Sequence, residues 1–235
     1  MRSLVIVAAL LASACVVRSE RLVALEKSLN DALPGDAPIT LRKGNNFEAP
    51  PGRVIFISRE EGALRLIDMA RSGKDELSLF YLPYHDAWIT ETIKRTVDTT
   101  ESETRFCEAA MASEPEVHLW HFHNDKPNGE LAGYTPAEVS LMWTVPGPMD
   151  LEEMYAWAEL NPKAKFRGFV VSTHGVMEYW ADGYATGVRP DLVRRALMSE
   201  SWVLKHKARE AGADGLYLMA LNHRGMFNIR YRPVP

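Results

Sequence analysis

His121 and His123, in Val117-His118-Leu119-Trp120-His121-Phe122-His123, are the side chains of this sequence best suited to chemistry. The segment reads as a strand, and side chains two apart on a strand share a face. The two imidazoles therefore project together. A carboxylate returns a short distance later at Glu138, within Tyr134-Thr135-Pro136-Ala137-Glu138. Two histidines and an acid make a three-ligand zinc set with the fourth position open to water, the arrangement of catalytic zinc. The chemistry implied is hydrolysis. The plainer alternative is a pair of polar residues on a sheet face. His118 points to the opposite face with Trp120 and Phe122, as a core or rim residue. Thr135 with Glu138 three residues on also fits a helix N-cap followed by an acid in the first turn.

These residues need elements to hold them. Leu22, Leu25, Leu29 and Leu33 predict a helix from Glu20 to Leu33, stopped by Pro34-Gly35. A polar loop through Gly44 to Gly52 precedes a short strand at Arg53–Ile57. Ala63, Leu64, Ile67 and Ala70 predict a helix over Glu60–Arg71, closed by Ser72-Gly73. Glu76–Leu82 alternates like a strand and ends at Pro83. Further short strands up to about Thr100, a helix over Glu101–Ser113 with Cys107 in its core, and the His121 strand follow. Beyond Glu138 we expect a helix at Leu151–Leu160 and a hairpin of Phe169–Thr173 with Val176–Trp180 about His174-Gly175. A long amphipathic helix from Arg189-Pro190 to about Ala211 and two last strands, Gly215–Leu221 and Met226–Tyr231, complete the pattern. Mixed strands and helices in this order indicate one α+β (α-β-α) domain.

Taken in order, Glu76, His121-Phe122-His123 and Thr135-Pro136-Ala137-Glu138 resemble the Glu, His-x-His and Ser-x-x-Asp motifs of the JAMM (JAB1/MPN) metalloproteases. The similarity is greatest to divergent bacterial JAB-like domains. The resemblance runs roughly from Arg53 to Pro233 and implies a mixed sheet flanked by helices. It implies Zn2+ held by His121, His123 and Glu138, the last in the place of the family's aspartate. Glu76 then takes a proton from the attacking water and passes it to the leaving amine. Thr135 stands for the serine that stabilises the oxyanion. Asp125 is a rival ligand in the spacer. The implied activity is hydrolysis of amide or isopeptide bonds in a protein or peptide substrate. A catalytically inactive JAB-like binding module is the alternative, and an unrelated α+β envelope protein is the third.

The ends and the composition place the chain. Met1-Arg2-Ser3, the apolar run Leu4–Leu11 and the small residues Ala12-Ser13-Ala14 form a signal-peptide pattern, too short to span a bilayer. Cys15 directly follows, so either simple cleavage after Ala14 or a lipid anchor on Cys15 fits. An exported protein, periplasmic or an outer-membrane lipoprotein, is expected. The resulting organisation is a signal peptide at 1–14, an N-terminal helix and loop at 15–52, and a JAB/MPN-like domain at 53–235. With Cys107 the sole remaining cysteine, no disulfide framework is expected. At 46% hydrophobic and 25% charged residues, the 235-residue chain can bury a sizeable core. Its net charge of -4, without a basic stripe, argues against a nucleic-acid partner. No feature sets the oligomeric state.

Overall fold

The strand that carries His121 lies in the middle of an eight-stranded mixed sheet, in a computed structural model that describes residues 20–33, 38–95, 100–102, 104–124, 133–160, 163–181 and 190–234. The signal-peptide pattern, Cys15 and Asp125 fall outside the described residues. The chain runs α1 (20–32), β1 (Arg42–Lys43), β2 (Arg53–Ile55), α2 (Arg59–Arg71), β3 (Ser78–Leu82) and β4 (Ala87–Thr90). There follow β5 (Thr92–Arg95), β6 (Thr100–Ser102), α3 (Thr104–Ser113), β7 (Glu116–Phe122), α4 (Pro136–Met142) and α5 (Pro148–Leu160). The last elements are β8 (Lys165–Val171), β9 (Gly175–Trp180), α6 (Pro190–Asn222) and β10 (Asn228–Pro233). The fold is α+β, with sheet order β1-β2-β4-β3-β7-β8-β9-β10 and a separate β5–β6 hairpin. Pairing is parallel for β1–β2 and β7–β8 and antiparallel elsewhere in the sheet.

Because β7 is covered on both faces, its residues from Val117 to Phe122 are all buried. Alternation sorts them. Trp120 and Phe122 join Trp88, Phe169 and Val171 on the face that α2 covers with Leu66, Ile67 and Ala70. The rings of Trp120 and Phe169 stack at 4.0 Å. Each such fully buried apolar side chain contributes about 1.5–3 kcal/mol. Val117 and Leu119 face the larger core built with Leu25 and Leu29 of α1, Ala109 of α3, Leu151 and Met154 of α5, and Leu204 and Ala208 of α6. Helices thus lie on both sides of the sheet, as expected of this element order. Gly168 of β8 is required by the second core: a Cβ there would come within 2.0 Å of the Tyr179 ring.

One predicted element changes class. Gly215–Leu221 is helical, the last part of α6, after a kink at Gly212 with φ 64. Leu216 and Ala220 are buried while Tyr217, Leu218 and Leu221 are exposed, which is a helical stripe and not a strand's alternation. The kink turns the chain without ending the helical segment, and only glycine adopts that conformation without strain. Cys107 lies in α3, with its side chain outside the described residues.

Candidate metal centre

β7 delivers both histidines to the α5–α6 side of the sheet. The Nε2 atoms of His121 and His123 are 3.1 Å apart, and each residue is 5% exposed. Asp150 meets them from the first turn of α5, with Oδ1 3.4 Å from His121 Nε2 and Oδ2 3.8 Å from His123 Nε2. One donor atom from each residue lies within 4.8 Å of the others. Tetrahedral ligands about 2.0–2.2 Å from zinc stand about 3.3 Å from one another. The two imidazole nitrogens stand at that separation, Asp150 turns a different oxygen toward each of them, and imidazole with carboxylate is a donor set zinc accepts.

Local structure explains each placement. The carbonyl of Trp143, the C-cap of α4, lies 2.7 Å from His123 Nδ1. A carbonyl only accepts, so Nδ1 carries the proton and Nε2 turns its lone pair toward the centre. Asp150 sits where α5 begins with Pro148, and its Oδ2 accepts from the Gly147 N–H at 2.6 Å. The helix N-terminus favours the carboxylate there. The approach to α5 is pinned from two sides. Ser201 Oγ of α6 donates to Pro146 O at 2.9 Å, and Thr144 Oγ1 donates to Ser140 O at 3.1 Å.

The electrostatics demand a positive charge at this point. Burial works against charge on His121, but the Asp150 carboxylate and its hydrogen bond outweigh it, with help from Glu76 and Glu153, and push His121 up to about 9. Burial and then the His121 charge drive His123 down to about 3. Burial raises Asp150, and the two imidazoles together with the Gly147 N–H overcome this to hold its carboxyl well below the usual range. Without a metal, a proton on the histidine pair supplies the charge. A divalent cation could take the same place by displacing it.

The structure brings some of the expected residues together and separates others. Ser78 of β3 lies opposite His121, so extending the pairing by two residues puts Glu76 opposite His123 on the same face. Asn124 Nδ2 donates to Lys74 O at 3.2 Å, continuing that alignment. Glu76 is 8% exposed and its charge acts on His121. Glu138 is outside the cluster, and Asp150 takes the place expected for it. Its Oε2 accepts from the backbone N–H and the hydroxyl of Thr135, both at 2.8 Å, in a capping box that starts α4. Those two donors, the backbone first, lower the Glu138 pKa. The Thr135 hydroxyl is thereby committed to Glu138. The capping alternative describes both residues.

Asp150 is the candidate ligand that sequence reasoning missed, although Gly147-Pro148-Met149-Asp150 carries a helix-start signal with the same interval as Thr135 to Glu138. His174, left unassigned by sequence, lies with Nε2 2.8 Å from Ser140 Oγ at the turn between β8 and β9. Set against known protein families, curated proteins and solved structures, the chain matches none.

Proposed function

We propose that the chain is a zinc-dependent hydrolase of amide or isopeptide bonds that works in the manner of the JAMM metalloproteases. The observation that supports this most is the convergence of His121, His123 and Asp150, with Glu76 on the same sheet face. Zinc at such a centre polarises a carbonyl and brings its bound water's pKa to about 7. His121, His123 and Asp150 would hold it. Glu76 accepts the proton of the attacking water and returns it to the leaving amine nitrogen, which keeps both proton transfers on one carboxylate. The burial that surrounds the histidines excludes competing water.

Gly147-Pro148-Met149-Asp150 reproduces the family's Ser-x-x-Asp interval with the aspartate kept and glycine in place of serine. This supports the resemblance more directly than Thr135 and Glu138 do. It also motivates a second reading, a catalytically inactive binding module of the same fold, because glycine brings no hydroxyl to the centre. The leader-like Met1–Ala14 and Cys15 support an exported protein, anchored or free, that meets a protein or peptide partner in the envelope. The net charge of -4 supports a partner other than nucleic acid.

Zinc-loaded protein incubated with linear and isopeptide-linked peptides, with products read by mass spectrometry, tests the proposal. Cleavage is expected to vanish on chelation and to fall roughly 10²- to 10⁴-fold in Glu76→Gln at unchanged zinc content. A zinc-loaded chain that leaves every peptide intact would overturn the hydrolase in favour of the binding module.

A further inference from the structure

Twelve large apolar side chains are exposed among the described residues, and eight of them fall within residues 192–226. On α6, exposed Met198 and Trp202 stand one turn apart. Beyond the kink at Gly212, Tyr217 and Leu218 each stand one turn from Leu221, and all three are more than half exposed. Met226 follows just after the helix. The inner face of α6 is already committed, since Leu197, Leu204, Leu216 and Ala220 lie in the core. A single exposed leucine needs no explanation, but a concentration of this kind marks a surface that meets something apolar.

The two halves of α6 share that surface. Val203 and Lys207 line a hollow of about 330 Å³ together with Arg224 and Met226 from the chain after the helix. Lys207 continues into a second hollow of about 440 Å³, lined as well by Met219 and Asn222. Cations accompany the apolar groups. Residues 190–226 hold six lysines and arginines against four acids, although the whole chain carries a net charge of -4. Glu200, the acid of the first hollow, is engaged. Its two oxygens accept from the Met226 N–H at 2.9 and 3.0 Å, and Oε1 lies 3.1 Å from His223 Nε2. Arg224 Nη1 donates to the carbonyls of Leu221 and His223, at 3.0 and 2.6 Å. Positive charge therefore borders the apolar side chains here.

We infer that the outer face of α6, with Arg224 and Met226, docks on an anionic phospholipid surface. Trp202 and Tyr217 carry the amphipathic rings that settle at headgroup level, where leucine and methionine side chains reach the acyl boundary. Lys207 and Arg224 match the negative potential of such a surface. A helix with apolar and cationic groups side by side on its outer face lies along a bilayer. Among the described residues, no helix is long and apolar enough to cross one. A second copy of the chain suits this face less well, because a two-fold contact sets the same cations against each other. Docking of this kind needs no metal at the histidines.

The full chain is mixed with vesicles of equimolar phosphatidylglycerol and phosphatidylcholine, and bound protein is read by cosedimentation. Wild-type chain is expected to bind. Affinity should fall roughly tenfold or more in Leu218→Ser with Leu221→Ser, and by a similar factor in Lys207→Gln with Arg224→Gln. Leu64→Ser, at a similarly exposed leucine of α2, should change nothing. These substitutions all fall on exposed side chains, so the fold is retained. Brominated lipid should quench tryptophan fluorescence, and Trp202→Phe should remove that quenching. Affinity that ignores both double substitutions places the contact elsewhere, such as the apolar run at Leu4–Leu11, and overturns the assignment. A wild-type chain that leaves the vesicles unbound overturns it as well. If that chain also sediments as a dimer that Leu218→Ser with Leu221→Ser dissolves, the face belongs to a second copy.

Discussion

The two ends of β7 each present a buried histidine–carboxylate contact, and they behave in opposite ways. Past its C-terminal end, Asp150 is ionised beside a raised His121. Before its N-terminal end, His85 Nε2 lies 3.0 Å from Glu114 Oε1, yet burial raises Glu114 to about 7. Burial, then Arg21, lowers His85. Both shifts favour the neutral forms of that pair. The imidazoles account for much of the difference, since His121 and then His123 oppose the burial of Asp150 whereas burial alone acts on Glu114. Asp150 occupies the first turn of α5 and accepts a backbone N–H, whereas Glu114 follows the last turn of α3, where carbonyl dipoles disfavour an anion. Hydrogen bonding differs as well. Glu114 Oε2 has no hydrogen-bond partner among the described residues, while both Asp150 oxygens face a histidine. Contact between these residue types is therefore not sufficient for a metal centre.

The largest effect should separate the two ends outright. The double substitution His121→Ala with His123→Ala is expected to take zinc content from about one per chain to none. His85→Ala should leave it intact, and elemental analysis of the purified variants checks both. Loss of zinc in the His85 variant would break the contrast. Next in size, Asp150→Asn should weaken zinc by more than the roughly 10- to 100-fold typical of a lost outer-shell partner. Glu138→Gln should leave zinc affinity unchanged, as read by competition with a chromophoric chelator. Weakening by the Glu138 change would return that residue to the centre. The smallest effect concerns the neutral pair. Glu114 binds its proton up to about 7 when folded, against an ordinary 4.5, so the folded state holds a proton that the unfolded chain releases. Its stabilising contribution is fully present below 4.5 and lost as pH rises through about 7. Unfolding free energy should thus fall across that window by on the order of 2 kcal/mol, and fall less in Glu114→Gln. Denaturant titrations at several pH values measure it, and matching slopes in both proteins would contradict the account.

Much of this was legible in the residues, for identifiable reasons. Period-two alternation put His121 and His123 on one face and His118 on the other, because a strand covered on both sides leaves no other register. Leucine spacing located α1, and Ser72-Gly73 located the end of α2. The run Gly215–Leu221 misled because a dense apolar stretch between glycines suits a buried strand as well as a helix, and only the packing of Leu216 and Ala220 into the core distinguishes them. Asp150 was hidden for a related reason. Two helix starts, Thr135 to Glu138 and Gly147 to Asp150, each supply an acid at the same interval. Which one reaches the histidines depends on how α4 and α5 settle on the sheet, and the first acid is used to begin its own helix.

β7 and β8 are parallel neighbours, so the chain between them, with α4 and α5, is a single crossover. The three candidate donors lie on β7, just past its end and at the start of α5, and Glu76 comes from outside that stretch. Circular permutation would exploit this division. New termini opened between β4 and β5, with the old ends joined, should preserve zinc uptake, whereas a break between α4 and α5 would unlink the aspartate from its histidines. The candidate ion site is in this sense a property of one segment, and the position of Glu76 beside it is a property of the whole sheet.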